Sequence, residues 1–403
     1  MKRKKGLSGP GMIAAAVLIL LLCCGCSAFS HSEGYSASEP APEKVKDVPS
    51  SETPEVSPMS EAPPVSAQKA VPGSGASEEG SSEEEVAEET RETDAEPAPL
   101  IVEADPALYT YEDMEQDILS LAHSYDCVTA DSLGKTMDGR EIYHLLIGRE
   151  DAPVHILFTA SIHAREYITT QLLMKQTDEF LKDRENDYLD EIAIHVVPMI
   201  NPDGVAISQF GLDGIRTQEA KDYVTGVIMP ADGSTGSPSY FTRWKANAHG
   251  VDLNRNFDAL WEAYAGSGHP SSDHYKGESP GSEPEAAALI RLTEDYSFAR
   301  TVSYHTQGGV IYWYFGQEGA LKEETEQLAK DVSAVTGYYL DSNYQNLDPA
   351  GYKDWAISKM GIPSLTVEVG RETSPVPPAQ FSEIWEQNRL VWKAVCDNVL
   401  SSR

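Results

Sequence analysis

The chain has 403 residues, with 31 basic and 64 acidic side chains, a formal charge of −33 and 40% hydrophobic residues. Such a negative field repels nucleic acid and anionic membrane surfaces, which excludes both as the main partner. The length suits one large domain or two ordinary ones, and 30 glycines and 25 prolines beside 8% aromatic residues point to a part that stays unfolded.

The N-terminus opens with the cluster Lys2-Arg3-Lys4-Lys5, followed by an apolar run from Met12 to Cys24. That run is short of the ~20 residues a membrane-spanning helix needs and fits the apolar region of a secretory signal. It ends in Leu22-Cys23-Cys24-Gly25-Cys26-Ser27, which resembles a bacterial lipobox. Cys26 after Gly25 is the candidate lipidated residue, although Cys23 stands where an aliphatic residue is usual. An ordinary cleaved signal or an uncleaved anchor is the alternative. Residues 1–26 are therefore expected to export the chain, and no later segment reads as transmembrane.

Residues 27–104 read as a tether. Up to Leu100 this stretch holds 17 acidic and 4 basic residues, ten prolines and fourteen serines, and its only aromatics are Phe29 and Tyr35. It cannot bury enough apolar surface to offset its backbone entropy. Proline and charge repulsion should keep it extended.

From residue 105 the apolar patterning becomes regular. Helical spacing covers Tyr111–Ser124, Ile168–Leu181, Pro284–Tyr296, Leu321–Val335 and Phe381–Val399. Short β-rich runs cover His155–Ile162, Ala193–Ile200, Thr301–His305, Val310–Phe315 and Ser364–Val369. Thr129–Ile147, centred on Asp138-Gly139, predicts a hairpin. Leu212–Tyr240, rich in Gly, Asp and Ser, reads as a long surface insertion. The fold class is α/β: one domain over 105–403 with a mixed, mainly parallel twisted sheet and helices on both faces. Cys127 and Cys396 are as well read as separate thiols as a disulfide.

The strand His155–Ile162 runs into His163-Ala164-Arg165-Glu166. An imidazole and a carboxylate three residues apart supply two of the three protein ligands of a catalytic zinc site. Taken alone the pair is weak. A second strand ends at His305 and a third at Glu368, and ligands of open α/β sheets bind beyond the carboxyl ends of the strands. His163, Glu166, His305 and Glu368 therefore converge on one rim.

With Asn201-Pro202-Asp203-Gly204 and Val251-Asp252-Leu253-Asn254-Arg255-Asn256 added, the motifs resemble the zinc carboxypeptidases of the carboxypeptidase A family, in the family's order across residues 105–400. The resemblance implies one zinc ion held by His163, Glu166 and His305. Asp252 would accept the other ring N–H of His163 and fix its tautomer. Glu368 would be the general base. Asn254 and Arg255 would bind the substrate's terminal carboxylate, a task suited to Arg's fork of donors, and Arg165 would steer the substrate. The oxyanion donor is either Lys245 or Arg243, which flank Trp244. Tyr344 stands near the place of the tyrosine that covers substrate in many relatives.

In the family's pattern Lys353, within Gly351-Tyr352-Lys353-Asp354-Trp355, falls on the floor of the pocket for the departing side chain. A buried ammonium needs an anionic partner, so Lys353 either selects a carboxylate-bearing residue or pairs with Asp354 or another acid. Residues 101–403 carry a net charge of −24, yet Arg165, Arg243, Lys245, Arg255 and Lys353 all fall in the site motifs. The Trp244, His305 and Lys353 segments look most like a bacterial branch that cuts γ-D-glutamyl-diaminopimelate bonds of cell-wall stem peptides. An ordinary carboxypeptidase for acidic C-terminal residues, or a binding module without turnover, is the alternative. The expected partner is a peptide or stem peptide. The chain is expected to be a monomer that meets the membrane only through its N-terminus.

Overall fold

The computed structural model describes residues 101–102, 108–183, 187–342 and 348–403. The signal region with Cys26, residues 27–100 and 103–104 of the tether, and Tyr344 lie outside the described residues. Ile101 and Val102 belong with the folded body rather than with a tether. Both backbone N–H groups donate to the Asp178 carboxylate, at 2.6 and 2.8 Å, and Val102 is buried.

Helix α1 (Tyr111–Ser124) starts where Thr110 accepts from Asp113 N and Asp113 answers to Thr110 N. That capping box satisfies two otherwise orphaned donors, and Met114, Ile118 and Leu121 form the buried stripe. The hairpin β1 (Val128–Lys135) and β2 (Glu141–Ile147) turns at Asp138-Gly139, with Gly139 at φ +82°. Next come β3 (Val154–Thr159), α2 (Ile168–Lys182), β4 (Ile192–Val197) and α3 (Pro202–Phe210). Asn201 caps α3 by accepting from Gly204 N at 3.0 Å, with Pro202 in the first turn. The short helices α4 (Gln218–Tyr223), α5 (Met229–Ala231) and α6 (Pro238–Thr242) lead to α7 (Pro284–Tyr296). The remainder is β5 (Arg300–Thr306), β6 (Val310–Tyr312), α8 (Gly319–Thr336), β7 (Tyr339–Asp341), α9 (Tyr352–Ser358), β8 (Ser364–Val369), α10 (Phe381–Asn388) and α11 (Val391–Ser401).

The eight strands form one sheet in the order β1-β2-β4-β3-β5-β8-β6-β7. The centre, β4-β3-β5-β8, is parallel, while β1, β2 and β6 pair antiparallel with their neighbours toward the centre. Alternation along the strands feeds two cores. Ile156 and Phe158 of β3 pack with α1, α2, α8, α10 and α11 on one face, and Leu157 packs with α7 and α9 on the other. A mixed, helix-covered sheet is the architecture the sequence predicts.

Three details differ from the sequence reading. Phe381–Val399 is two helices: the carbonyl of Asn388 accepts from Gln176 Nε2 at 2.8 Å, and its side chain bonds Tyr338, so the chain breaks before α11. Val310–Phe315 stays extended only to Tyr312, because the Gln317 amide bonds both Phe315 N and Trp313 O and turns the chain. The Leu212–Tyr240 insertion has a core of its own, in which Ile215, Val224, Ile228 and Phe241 gather on Trp244.

Candidate active site

The metal-ligand set rests on the turn after β3. Ser161 there sits at φ +48°, held by hydrogen bonds between its backbone N–H and Thr169 and between its hydroxyl and Thr170. A non-glycine residue keeps that conformation only when its surroundings fix it. The turn throws His163 and the short helix Ala164–Glu166 toward the end of β5. Glu166 Oε1 lies 2.9 Å from His163 Nδ1, and Oε2 lies 3.1 Å from His305 Nδ1 and accepts from Thr306 N at 3.2 Å. The two Nδ1 atoms are 3.2 Å apart.

Two imidazole nitrogens and a carboxylate thus face one buried point. Burial disfavours the charged form of Glu166, but the two histidines outweigh it and hold the carboxyl well below its usual range. His163 Nε2 points away from that point, 3.3 Å from Asp252 Oδ1. That contact leaves Nδ1 free as the ligating lone pair. This donor set fits zinc, with its preference for histidine nitrogen and carboxylate oxygen.

Asp252 is fully buried and also meets Lys245 Nζ, 2.8 Å from Oδ2. Both Asp252 contacts lie off the line of an ideal hydrogen bond, and the one to Lys245 is a close ion pair. Burial raises the Asp252 carboxyl, yet Lys245 and then His163 hold it well below the usual range. Lys245 Nζ also lies 3.4 Å from Asp273 Oδ1. Asp252, Asp273 and His274 come close enough to ligate a cation, but the Lys245 ammonium already occupies the place between the two carboxylates.

Glu368 on β8 is the cross-strand neighbour of His305 on β5 and of Val310 on β6. Burial pushes its carboxyl up to about 7; His305 and Lys245 pull it down, and Glu166 pushes it further up. A carboxyl so placed can exchange a proton near neutral pH.

A cavity of about 390 Å³ opens onto this set, lined also by Arg165, Lys245, Asn254, Arg255, Lys353 and Asp354. Arg255 pairs with Asp348 and lies 5.0 Å over the Tyr264 ring. Asn254 Oδ1 accepts from Tyr352 N at 3.0 Å, tying the cavity wall to α9. Arg165 donates to Arg243 O at 3.1 Å. Lys353 is paired with Asp354.

Arg243 does not reach the cavity, which corrects its candidacy as an oxyanion donor. Trp244 and Lys245 are buried, whereas Arg243 is exposed and donates to Ser239 O of the preceding helix. The sequence reading missed Asp273, Asp348 and Tyr264. All three lie in polar loops whose spacing carries no signal. Cys127 and Cys396 are separate thiols.

An imidazole pair, a charged carboxylate and a neighbouring proton-exchanging carboxylate define a metallopeptidase-type centre. The family model described as zinc carboxypeptidase matches residues 114–391, and this chain belongs to that family. It is 32% identical to gamma-D-glutamyl-L-diamino acid endopeptidase 1 of Lysinibacillus sphaericus, over 69% of this chain and 70% of that protein. It is 25% identical to carboxypeptidase B of Bos taurus, over 68% and 66% respectively. The fold is shared with carboxypeptidase A from Helicoverpa armigera (TM-score 0.58, 21% identity, 73% of this chain and 74% of that one). It is shared too with thrombin activatable fibrinolysis inhibitor (TM-score 0.59, 18% identity, 74% and 77%). The protein is a zinc-dependent peptidase, and His163, Glu166 and His305 are the residues that can hold the ion.

Proposed function

We propose that this peptidase hydrolyses γ-D-glutamyl-diaminopimelate bonds of cell-wall stem peptides, next to a free carboxylate. The observation behind the reading is the charge of the cavity. Its lining carries four cations, Arg165, Lys245, Arg255 and Lys353, among four carboxylates, Glu166, Asp348, Asp354 and Glu368, and cations of this kind can exchange an internal partner for a substrate carboxylate. The name of the Lysinibacillus relative, a γ-D-glutamyl-L-diamino acid endopeptidase, supports the same class.

Zinc, when bound, supplies a Lewis acid that polarises a carbonyl and lowers the pKa of water toward ~7. Glu368 takes the proton of the attacking water and passes it to the leaving nitrogen. Lys245 donates to the oxygen on which charge develops. Asn254 and Arg255 hold the free carboxylate, with Arg255 exchanging Asp348 for the substrate. Arg165 aligns the chain across the cavity mouth. We further propose that residues 1–26 export the protein, that Cys26 carries a lipid, and that residues 27–100 hold the enzyme off the membrane within the wall.

The test compares kcat/KM for L-Ala-γ-D-Glu-diaminopimelate with that for an ordinary peptide ending in glutamate. Faster cleavage of the wall peptide is expected. Cleavage of the glutamate peptide alone would leave a general carboxypeptidase for acidic residues, and no hydrolysis of either would leave a binding module.

A further inference from the structure

Ile101 and Val102 end on a buried charge. Asp178 lies near the C-terminal end of α2 and is fully buried. One carboxylate oxygen, Oδ2, accepts from both Ile101 N and Val102 N, at 2.6 and 2.8 Å. The other, Oδ1, is buried without a hydrogen-bond partner. Burial raises the carboxyl, and the two N–H groups offset that in part, with Lys182 one turn along the helix acting through space. Val102 packs in the same core as Tyr109, Met114 and Ile118, and Ile101 borders it. Side chains and backbone alike hold the two residues in place.

A buried carboxylate is costly unless a cation pairs with it and its lone pairs are filled. A peptide N–H at Ile101 brings one donor and no charge. An ammonium on the same nitrogen would bring three donors and a positive charge. Leu100, directly before Ile101, is the only leucine between residues 27 and 100, in a stretch rich in proline, serine and glutamate. Small and polar residues of this kind are favoured surroundings for proteolytic nicking.

We infer that the chain is processed between Leu100 and Ile101, and that Asp178 is the receptor for the α-ammonium so formed. The step needs water and an endopeptidase selective for a large apolar residue before the cut. The C–N bond between Leu100 and Ile101 breaks. The oxygen of the water goes to the Leu100 carbonyl carbon, which leaves as a carboxylate, and both protons of the water end on the Ile101 nitrogen. The ammonium keeps the contact to Oδ2 and supplies a donor to Oδ1. The zinc ligands lie beyond the other end of α2 and are unchanged. The product is an enzyme freed from the N-terminal anchor proposed above, with its new terminus locked to the body. The inference does not depend on which peptide the enzyme cuts.

The test has two arms on the full chain. Brief digestion of the unaltered chain with a leucine-selective endopeptidase should leave a lasting product whose N-terminal sequence begins at Ile101. In the second arm, the recognition sequence of a specific protease replaces Pro97–Leu100, so that the cut exposes either Ile101 itself or one added glycine ahead of it. At a fixed urea concentration near the midpoint, the folded-to-unfolded ratio should be at least about tenfold higher with Ile101 as the terminus than with the glycine. Asp178→Asn should erase that difference. Equal ratios for the two termini would overturn the inference, as would a difference that persists in Asp178→Asn or a first arm that yields no product beginning at Ile101.

Discussion

Acidification should unfold this protein through three histidines that lie outside the active site. His144 Nε2 is 2.9 Å from His195 Nδ1, and His195 Nε2 is 2.9 Å from His155 Nδ1, a chain across β2, β4 and β3. Each link uses one N–H and one lone pair, so a single extra proton fits on the outer nitrogens and a second breaks a link. Burial pushes His144 down to about 4 and His195 down to about 2, and His155 is also lowered. Asp131 and Glu150 favour protonation of the ends but do not overcome burial. Tyr296 and Phe298 cover the middle ring. The native pKa values lie below the unfolded value of 6.5, so the stability is present above 6.5 and is lost as pH falls. By pH 5, His144 and His195 should each have given up about 2 kcal/mol, or about 4 kcal/mol together. The assay is urea unfolding between pH 8 and 5, for wild type and for the double variant His144→Phe/His195→Phe. Comparing how the two change with pH cancels any packing cost of the substitutions and the shared titration of the zinc ligands. Curves that stay parallel within about 1 kcal/mol would refute the reasoning.

Glu285 predicts the opposite slope. Burial, with Asp203 adding to it, raises its carboxyl to about 8, so its contribution is full below about 4.5 and is lost as pH rises toward 8. Glu285→Gln keeps an acceptor for Asn247, 3.2 Å away. Its stability advantage should grow by about 1.4 kcal/mol per pH unit across that window, read by urea unfolding at pH 5, 7 and 9. Lys245→Met should lower kcat about 10²- to 10³-fold on any accepted peptide, whereas Arg243→Met should change it less than about threefold. Equal losses in the two would contradict the assignment of Lys245 as the oxyanion donor.

Much of this was legible because periodicity survives folding. Tyr111–Ser124 and Pro284–Tyr296 are helices at the residues where the apolar spacing predicts them. The hairpin follows from Asp138-Gly139, and His163, Glu166, His305 and Glu368 are readable because strand ends fix direction. What stayed hidden depends on distant contacts. The break after Asn388 needs Gln176, more than two hundred residues away in the chain. Strand β7 has three residues, too few for alternation to register. Asp273 sits in a serine-rich loop, and only the fold brings it to Lys245. His144, His155 and His195 have no motif or spacing that relates them in the sequence. Sheet register puts them on one face, with His195 paired to Leu146 and Leu157, each two residues from another histidine.

The central claim is that a zinc site with Glu368 as its proton carrier cuts a wall-type peptide. Its most direct test is diaminopimelate release from L-Ala-γ-D-Glu-diaminopimelate by wild type and Glu368→Gln, each shown to hold one zinc. Turnover by the wild type, with kcat in the variant lower by at least about 10³-fold at equal zinc content, is the predicted result. A zinc-loaded wild type that releases nothing, or a variant within tenfold of it, would contradict the account.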